Sequence, residues 1–276
     1  MCTVSWHHTG EGYELLSNRD ERHTRKPALA PSIQERRGVR FITPIDGDHG
    51  GSWIAVNEFG LTFCLLNRYA CSLCQDSRPA TSRGLLLMEV VDCGSLDEAS
   101  DRIGRLKLES FKPFDLAILE SGRPCLLTHW TGRDLHIEWD GEYAMPLVSS
   151  SFDQAGATTH RRRLFHKLAD RRKITSALLR EFHSSHSPVA GAYSPCMHRE
   201  DASTVSFSRV RLARNRIEFC YFANSPCLRH ASEPLVACLP FVRPGFSRDI
   251  ATPSGEPAPS RLNHKRSTPG GNQLVI

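Results

Sequence analysis

The chain has 276 residues, 39% of them hydrophobic, enough to bury a sizeable core in one large domain or two small ones. Its net charge of +5 is only mildly basic and comes with no nucleic-acid-binding motif, so nucleic acid is not expected as a partner. No apolar run approaches the roughly 20 residues of a membrane span, and the segment Trp6-His7-His8-Thr9-Gly10-Glu11 interrupts any signal-peptide core, so a cytoplasmic protein with reduced cysteines is expected.

Taken in order, residues 2–7 and 13–18 read as two strands joined by a Gly-containing turn, a hairpin signal. Antiparallel pairing across a five-residue loop sets residue 2 opposite about residue 18. Residues 22–38 are polar, carry Pro27 and Pro31, and read as a surface excursion. A short strand is expected at 40–45 and a loop at 46–51. Two further strands, 52–57 and 61–67, meet at the tight turn Asn57-Glu58-Phe59-Gly60, and the second delivers Asn67 at its tip. Residues 84–93 form a heavily apolar run that predicts a buried helix. Ser95 predicts the cap of a second helix, 96–107, with Glu98 three residues later.

Strands are expected at 114–119, 124–130, 133–139 and 144–149, with glycines in the turns between them. Residues 159–183 predict a basic helix whose apolar phase slips near Asp170, compatible with two helices. The Arg161–Arg163 and Arg171–Lys173 clusters read as a solvated face. A loop covers 184–195, and residues 202–210 and 215–222 read as a hairpin. From these elements a layered α+β fold is expected for residues 1–240, followed by a disordered Pro/Ser/Arg-rich tail, 241–276.

The chemistry to be expected starts at Cys2. If Met1 is removed, Cys2 carries a thiol and a free α-amine. An α-amine has an unperturbed pKa of roughly 7.7–8.0, so it can take the thiol proton and return it to a leaving amine. The hairpin brings Asn18, Arg19 and Asp20 towards Cys2. Elsewhere, Cys71-x-x-Cys74 has metal-ligand spacing, and Cys227-x-x-His230 could add two ligands. A loop with two incidental cysteines is the preferred reading of Cys71 and Cys74, so zinc is not expected there. His49 and His198 read as loop histidines.

Three segments carry a resemblance: Met1-Cys2-Thr3, Leu15-Leu16-Ser17-Asn18-Arg19-Asp20-Glu21-Arg22, and the stretch from Gly50-Gly51-Ser52-Trp53 through Asn57-Glu58-Phe59-Gly60-Leu61 to Leu66-Asn67-Arg68. Together they closely resemble the NRDE family, which includes the transport and Golgi organisation protein 2 group. The likeness is fullest over residues 1–70 and continues more loosely to Thr204-Val205-Ser206-Phe207. It implies a four-layer αββα sandwich of the N-terminal-nucleophile hydrolase type. By similarity to cysteine members of that class, such as penicillin V acylase and bile salt hydrolase, Cys2 matches the nucleophile. Arg19 matches the arginine beside it and Asn67 the oxyanion-hole asparagine.

The hydrolase acid position is occupied here by Arg22, so the resemblance turns to Asp20, with Glu21 as the other acid, to hold the Cys2 amine. Ser150 stands where a second asparagine is expected, and Arg199 is a candidate for a late arginine. With Asn18, Glu21, Ser150 and Arg199 read as binding residues, the implied substrate is a small-molecule amide or related acyl compound, and no cofactor is expected. The alternative implied by the transport and Golgi organisation 2 group is a non-enzymatic protein that binds a lipid or haem.

Overall fold

The computed structural model describes residues 2–69, 81–231 and 233–243. The opening hairpin is β1 (Cys2–Thr9) and β2 (Gly12–Arg22), with Cys2 opposite Arg19, one step from the register expected of the loop. β3 (Leu29–Arg36) and β4 (Val39–Ile45) follow, then β5 (Ile54–Asn57) and β6 (Thr62–Asn67). Two helices come next, α1 (Arg83–Val90) and α2 (Leu96–Gly104). After them run β7 (Phe114–Leu119), β8 (Leu126–Trp130), β9 (Leu135–Glu138) and β10 (Leu147–Ser149). Helices α3 (Gln154–Ala169) and α4 (Ser176–His183) precede β11 (Ala202–Ala213), β12 (Arg216–Phe222) and β13 (Leu235–Pro240).

The strands form two antiparallel sheets, ordered β10-β1-β2-β11-β12-β13 and β3-β4-β5-β6-β7-β8-β9. Alternation along each strand assigns the layers. Cys2, Val4 and Trp6 of β1 join Cys64 and Leu66 of β6 in the core that includes the space between the sheets. The intervening residues of β1 face the other way, so Thr3 meets Arg161 of α3 and Ser5 meets His183 of α4. In β6, Phe63 and Leu65 turn outward and pack with Leu86, Leu87 and Ile103 of α1 and α2. The result is a four-layer αββα sandwich.

Local signals account for most helix ends. Ser95 accepts a hydrogen bond from the Glu98 backbone N–H, as the capping pattern predicts, while the Glu98 carboxylate reaches one residue further back and accepts from Gly94 N–H. The phase slip near Asp170 is a real break, with Ala169 ending α3 and Thr175 capping α4. Helix α3 starts five residues before the expected 159, because Asp153 caps it through Gly156 N–H.

Three expectations are corrected. Residues 22–38 are not only a surface excursion. They contain β3, an edge strand whose exposed, polar, Pro-bearing sequence hides its pairing with β4. β13 lies beyond the last strand expected. Arg161 is not on a solvated face: it is fully buried, on the same stripe of α3 as Ala157 and Phe165, at four-residue spacing. The segments 70–80 and 244–276, with the Cys71-x-x-Cys74 spacing and most of the expected tail, lie outside the described residues. Among the described residues, no helix is long and apolar enough to cross a membrane.

His183, at the end of α4, ties that helix to sheet one. The Asn18 side-chain NH2 donates to the carbonyls of His183 and Pro195, which leaves its oxygen to accept from His183 Nδ1–H at 3.0 Å. His183 Nε2 then accepts from the Ser5 hydroxyl at 2.8 Å. This network suits a neutral imidazole protonated at Nδ1. Burial, reinforced by the Arg161 charge, lowers the His183 pKa from 6.5 to about 3. Between those values the unfolded chain holds the proton and the folded chain does not, so stability falls as pH drops, by about 1.4 kcal/mol per pH unit. From pH 7 to pH 5 the expected loss through this residue is about 2 kcal/mol. Urea unfolding of His183→Gln should show a pH dependence flatter by that amount; an unchanged slope would contradict the neutral, buried imidazole.

Candidate active site

The pocket that holds Cys2 opens where β1 begins and β6 ends, and has a volume of about 610 Å³. Arg19 is the strand partner of Cys2, and residues directly opposite in an antiparallel pair have Cβ atoms about 4.5–5.5 Å apart. Both residues point to the space between the sheets. The Arg19 guanidinium is held on three sides. It donates to Asp46 at 2.6 Å, lies 3.5 Å from Glu21, and stacks on Trp53 at 4.2 Å from the ring centroid. Asp46 itself accepts backbone N–H bonds from Asp48 and His49, and these, with Arg25 and Arg19, hold its carboxyl below its usual range despite burial.

Burial pushes the Cys2 thiol above its ordinary pKa. The positive chain terminus and Arg19 oppose this, and Asp20 and Glu21 add to it. The net direction is upward, so the thiol is protonated at neutral pH and needs a base to become a nucleophile. A fixed arginine already shared with Asp46 and Glu21 does not replace that base.

Asn67 lines the same pocket from the end of β6. Its side-chain NH2 donates one hydrogen to the Tyr69 hydroxyl at 2.9 Å, and its backbone carbonyl accepts from Ser149 Oγ at 2.5 Å. An amide NH2 has two hydrogens, so one N–H can serve a further acceptor. Ser149 is also the strand partner of Cys2, so it links the two residues through β10. The three serines that end β10 and follow it have different partners. Ser150 Oγ accepts backbone N–H bonds from Phe152 and Asp153 at the start of α3, while Ser151 is the serine that lines the pocket.

Asp20 lines the pocket, but its carboxylate is anchored on the helix side of sheet one. It accepts from the Thr204 hydroxyl at 2.6 Å and from both Arg161 Nη atoms at 3.3 Å. A β-bulge between Thr204 and Ser206 lies opposite Asp20 and Arg19, and such irregularities commonly re-aim side chains beside active sites. Glu21 shares the Arg19 side of the pocket. Asn18 faces α4 and the 184–201 segment. Arg199 is not among the described residues that line the pocket; it pairs with Asp201 and lies over the Phe152 ring at 4.7 Å.

Among the lining residues that the sequence reading did not single out are Trp53 and Arg83. Trp53 has a buried indole N–H with no hydrogen-bond partner among the described residues. Arg83 enters from the first turn of α1 and donates to the Pro113 carbonyl. Its approach depends on a backbone contact between Gly51 and Gly84. A Cβ on Gly51 would lie 2.5 Å from the Gly84 carbonyl carbon, and one on Gly84 would lie 2.7 Å from Ser52 N. The signal available was the Gly50-Gly51-Ser52-Trp53 motif itself, which places a bare backbone beside a pocket wall.

Among solved structures, the chain is similar to a Caenorhabditis elegans N-acylethanolamine-hydrolyzing acid amidase ortholog. The identity is 12% and the TM-score 0.50, over 76% of this chain and 92% of that one. It is also similar to a mutant of conjugated bile acid hydrolase from Clostridium perfringens, at 12% identity and TM-score 0.49, over 87% and 92% of the two chains. A third likeness is to penicillin V acylase from Agrobacterium tumefaciens, at 10% identity and TM-score 0.49, over 87% and 86%. At these identities the likeness concerns fold, and the fold is the N-terminal-nucleophile hydrolase sandwich. A sequence comparison with curated proteins gives no match. The family model for Transport and Golgi organisation 2 matches residues 1–203, and the chain belongs to that family.

Proposed function

We propose that this chain is an N-terminal-nucleophile cysteine hydrolase that cleaves a non-peptide amide or related acyl bond in a small molecule. The observation that carries this reading is the convergence of Cys2, Arg19 and Asn67 on one pocket. The mechanism requires a chain that starts at Cys2. Its α-amine takes the thiol proton as sulfur attacks the substrate carbonyl carbon. The oxyanion receives a hydrogen bond from the Asn67 side-chain N–H, an interaction worth on the order of 3–4 kcal/mol in such sites. As the C–N bond breaks, the α-ammonium returns the proton to the departing amine, leaving a thioester on Cys2. A water molecule, deprotonated by the same amine, then releases the carboxylic acid and restores the thiol.

Asp20 is the favoured partner for the amine. It stands one residue beyond the Cys2–Arg19 pair, and its charge acts on the Cys2 thiol. The lipid or haem ligand of the alternative reading would need a broad apolar wall. Arg19, Glu21, Asp46, Arg83 and Lys112 on the lining favour a polar acyl compound instead.

Intact-protein mass spectrometry before and after a small lactone or activated-amide probe tests this. Absence of Met1 and a single acyl adduct on Cys2, in preference to the nine other cysteines, is expected. A retained residue before Cys2, or adducts scattered over other thiols, would sink the hydrolase reading and turn attention to ligand binding.

A further inference from the structure

A second constellation lies away from Cys2 and takes no part in the chemistry proposed for it. His186, Cys196 and His198 belong to the segment between α4 and β11, and Cys227 belongs to the turn Pro226–Ala231 after β12. One ligand atom from each lies within 4.8 Å of all the others. His198 Nε2 is 3.4 Å from Cys196 Sγ and 3.5 Å from Cys227 Sγ. The His186 and His198 rings meet edge to face, with centroids 5.0 Å apart, so they do not stack flat against one another.

These distances can be compared with a metal site. Zinc bonds of about 2.3 Å to sulfur and 2.0–2.1 Å to nitrogen, at the tetrahedral angle, put sulfur and nitrogen ligands about 3.6 Å apart. Both sulfur–nitrogen separations at His198 are close to that edge. Two thiols and two imidazoles form the donor set of structural zinc, and the absence of oxygen ligands from the set disfavours calcium or magnesium. Burial grades from Cys196, fully inside, through half-buried His198 and Cys227 to exposed His186, so the cluster has an inner wall and an open entry.

The segment that carries three of these residues has a reason to need a tie. Residues 184–201 contain no helix or strand, and unstructured stretches of that length are uncommon in compact domains. Its carbonyls nevertheless serve buried groups: Pro195 accepts from Asn18, and Ala192 accepts from Arg161.

We propose that His186, Cys196, His198 and Cys227 form a tetrahedral zinc site that fastens the 184–201 segment to the turn after β12. The metal is structural, because four protein ligands leave no open position for a substrate. Cys227, which the sequence pairs with His230 by spacing, takes different partners here. The site does not depend on Cys2 being catalytic.

The test uses the untagged full-length chain purified without chelator. Elemental analysis should find one zinc per chain. Replacement by cobalt should give the visible bands of a tetrahedral ion and a thiolate charge-transfer band in the near ultraviolet. His186→Ala removes an exposed side chain and should fold normally, yet lose more than about 100-fold in zinc affinity. Cys227→Ser should lose the charge-transfer intensity of one thiolate. Cys71→Ser/Cys74→Ser should leave zinc content and cobalt spectrum unchanged. The proposal is overturned if the folded protein is zinc-free and gives no cobalt bands. It is also overturned if zinc persists in His186→Ala/Cys227→Ser but vanishes in Cys71→Ser/Cys74→Ser, or if Cys196 and Cys227 are found joined as a disulfide.

Discussion

Cys2→Ala is expected to abolish acyl transfer, and Asn67→Ala to slow it by about 10²–10³-fold, once a substrate or acylating probe is in hand. The two losses have different origins. The alanine at position 2 removes the attacking sulfur, so no adduct forms at any concentration. The alanine at position 67 leaves sulfur and amine in place and removes one hydrogen bond to the oxyanion, so the adduct still forms at Cys2, more slowly. Single-turnover acylation followed by mass spectrometry separates these cases. Asn67 sits at a strand end, half-buried, with its NH2 on the Tyr69 hydroxyl, so its truncation should change the thermal midpoint little. If Asn67→Ala acylates at the wild-type rate, the oxyanion is held elsewhere, and the indole N–H of Trp53 in the same pocket, without a partner among the described residues, is the next donor to test.

Arg161→Leu is expected to destabilise the protein by about 3–5 kcal/mol, because it removes the buried guanidinium that pairs with the buried Asp20 carboxylate. Both side chains are fully buried, and Arg161 also donates to Thr3 Oγ1 and the Ala192 carbonyl. For a domain of this size the thermal midpoint should fall on the order of 6–20 °C. Arg161→Leu/Asp20→Asn should recover part of that loss, since it removes the buried negative charge together with the cation that faces it. Equal midpoints for the single and double variants would mean that the Asp20 charge is compensated by other groups. The pair also bears on function. Asp20 lies beside the Cys2–Arg19 register step and lines the pocket, so Arg161 holds from the helix side a residue of the pocket wall.

Much of the arrangement was legible in local signals. A hairpin with a short loop admits few registers, so the approach of Cys2 to residues 18–20 could be read from the turn, one step from the observed pairing with Arg19. The Ser95 cap and the phase slip at Asp170 are set within a few residues, and both stand as expected. Asn67 at the tip of β6 followed from the Asn57–Gly60 turn, and it reaches the Cys2 pocket because β6 lies in the sheet that faces β1.

What remained hidden depended on which surfaces the layers press together. Arg161 reads as solvent-facing because helical periodicity alone assigns arginine to water. It is buried because the stripe it shares with Ala157 and Phe165 lands over Asp20, a charge supplied by another layer. Ser149, Ser150 and Ser151 are the same residue type, and only the tertiary fold decides that the first bonds the Asn67 backbone carbonyl, the second accepts from the Phe152 and Asp153 N–H groups just before α3 and the third lines the pocket. β3 is too polar and exposed to be read as a strand until β4 supplies its hydrogen bonds. The His/Cys cluster joins residues as far apart as His186 and Cys227, a closure that no short spacing encodes. Chain-local chemistry sets turns, caps and the strand that carries Cys2. Stacking of sheet on sheet and helix on sheet decides which polar groups meet, because burial and pairing energies arise only when distant segments share the same space.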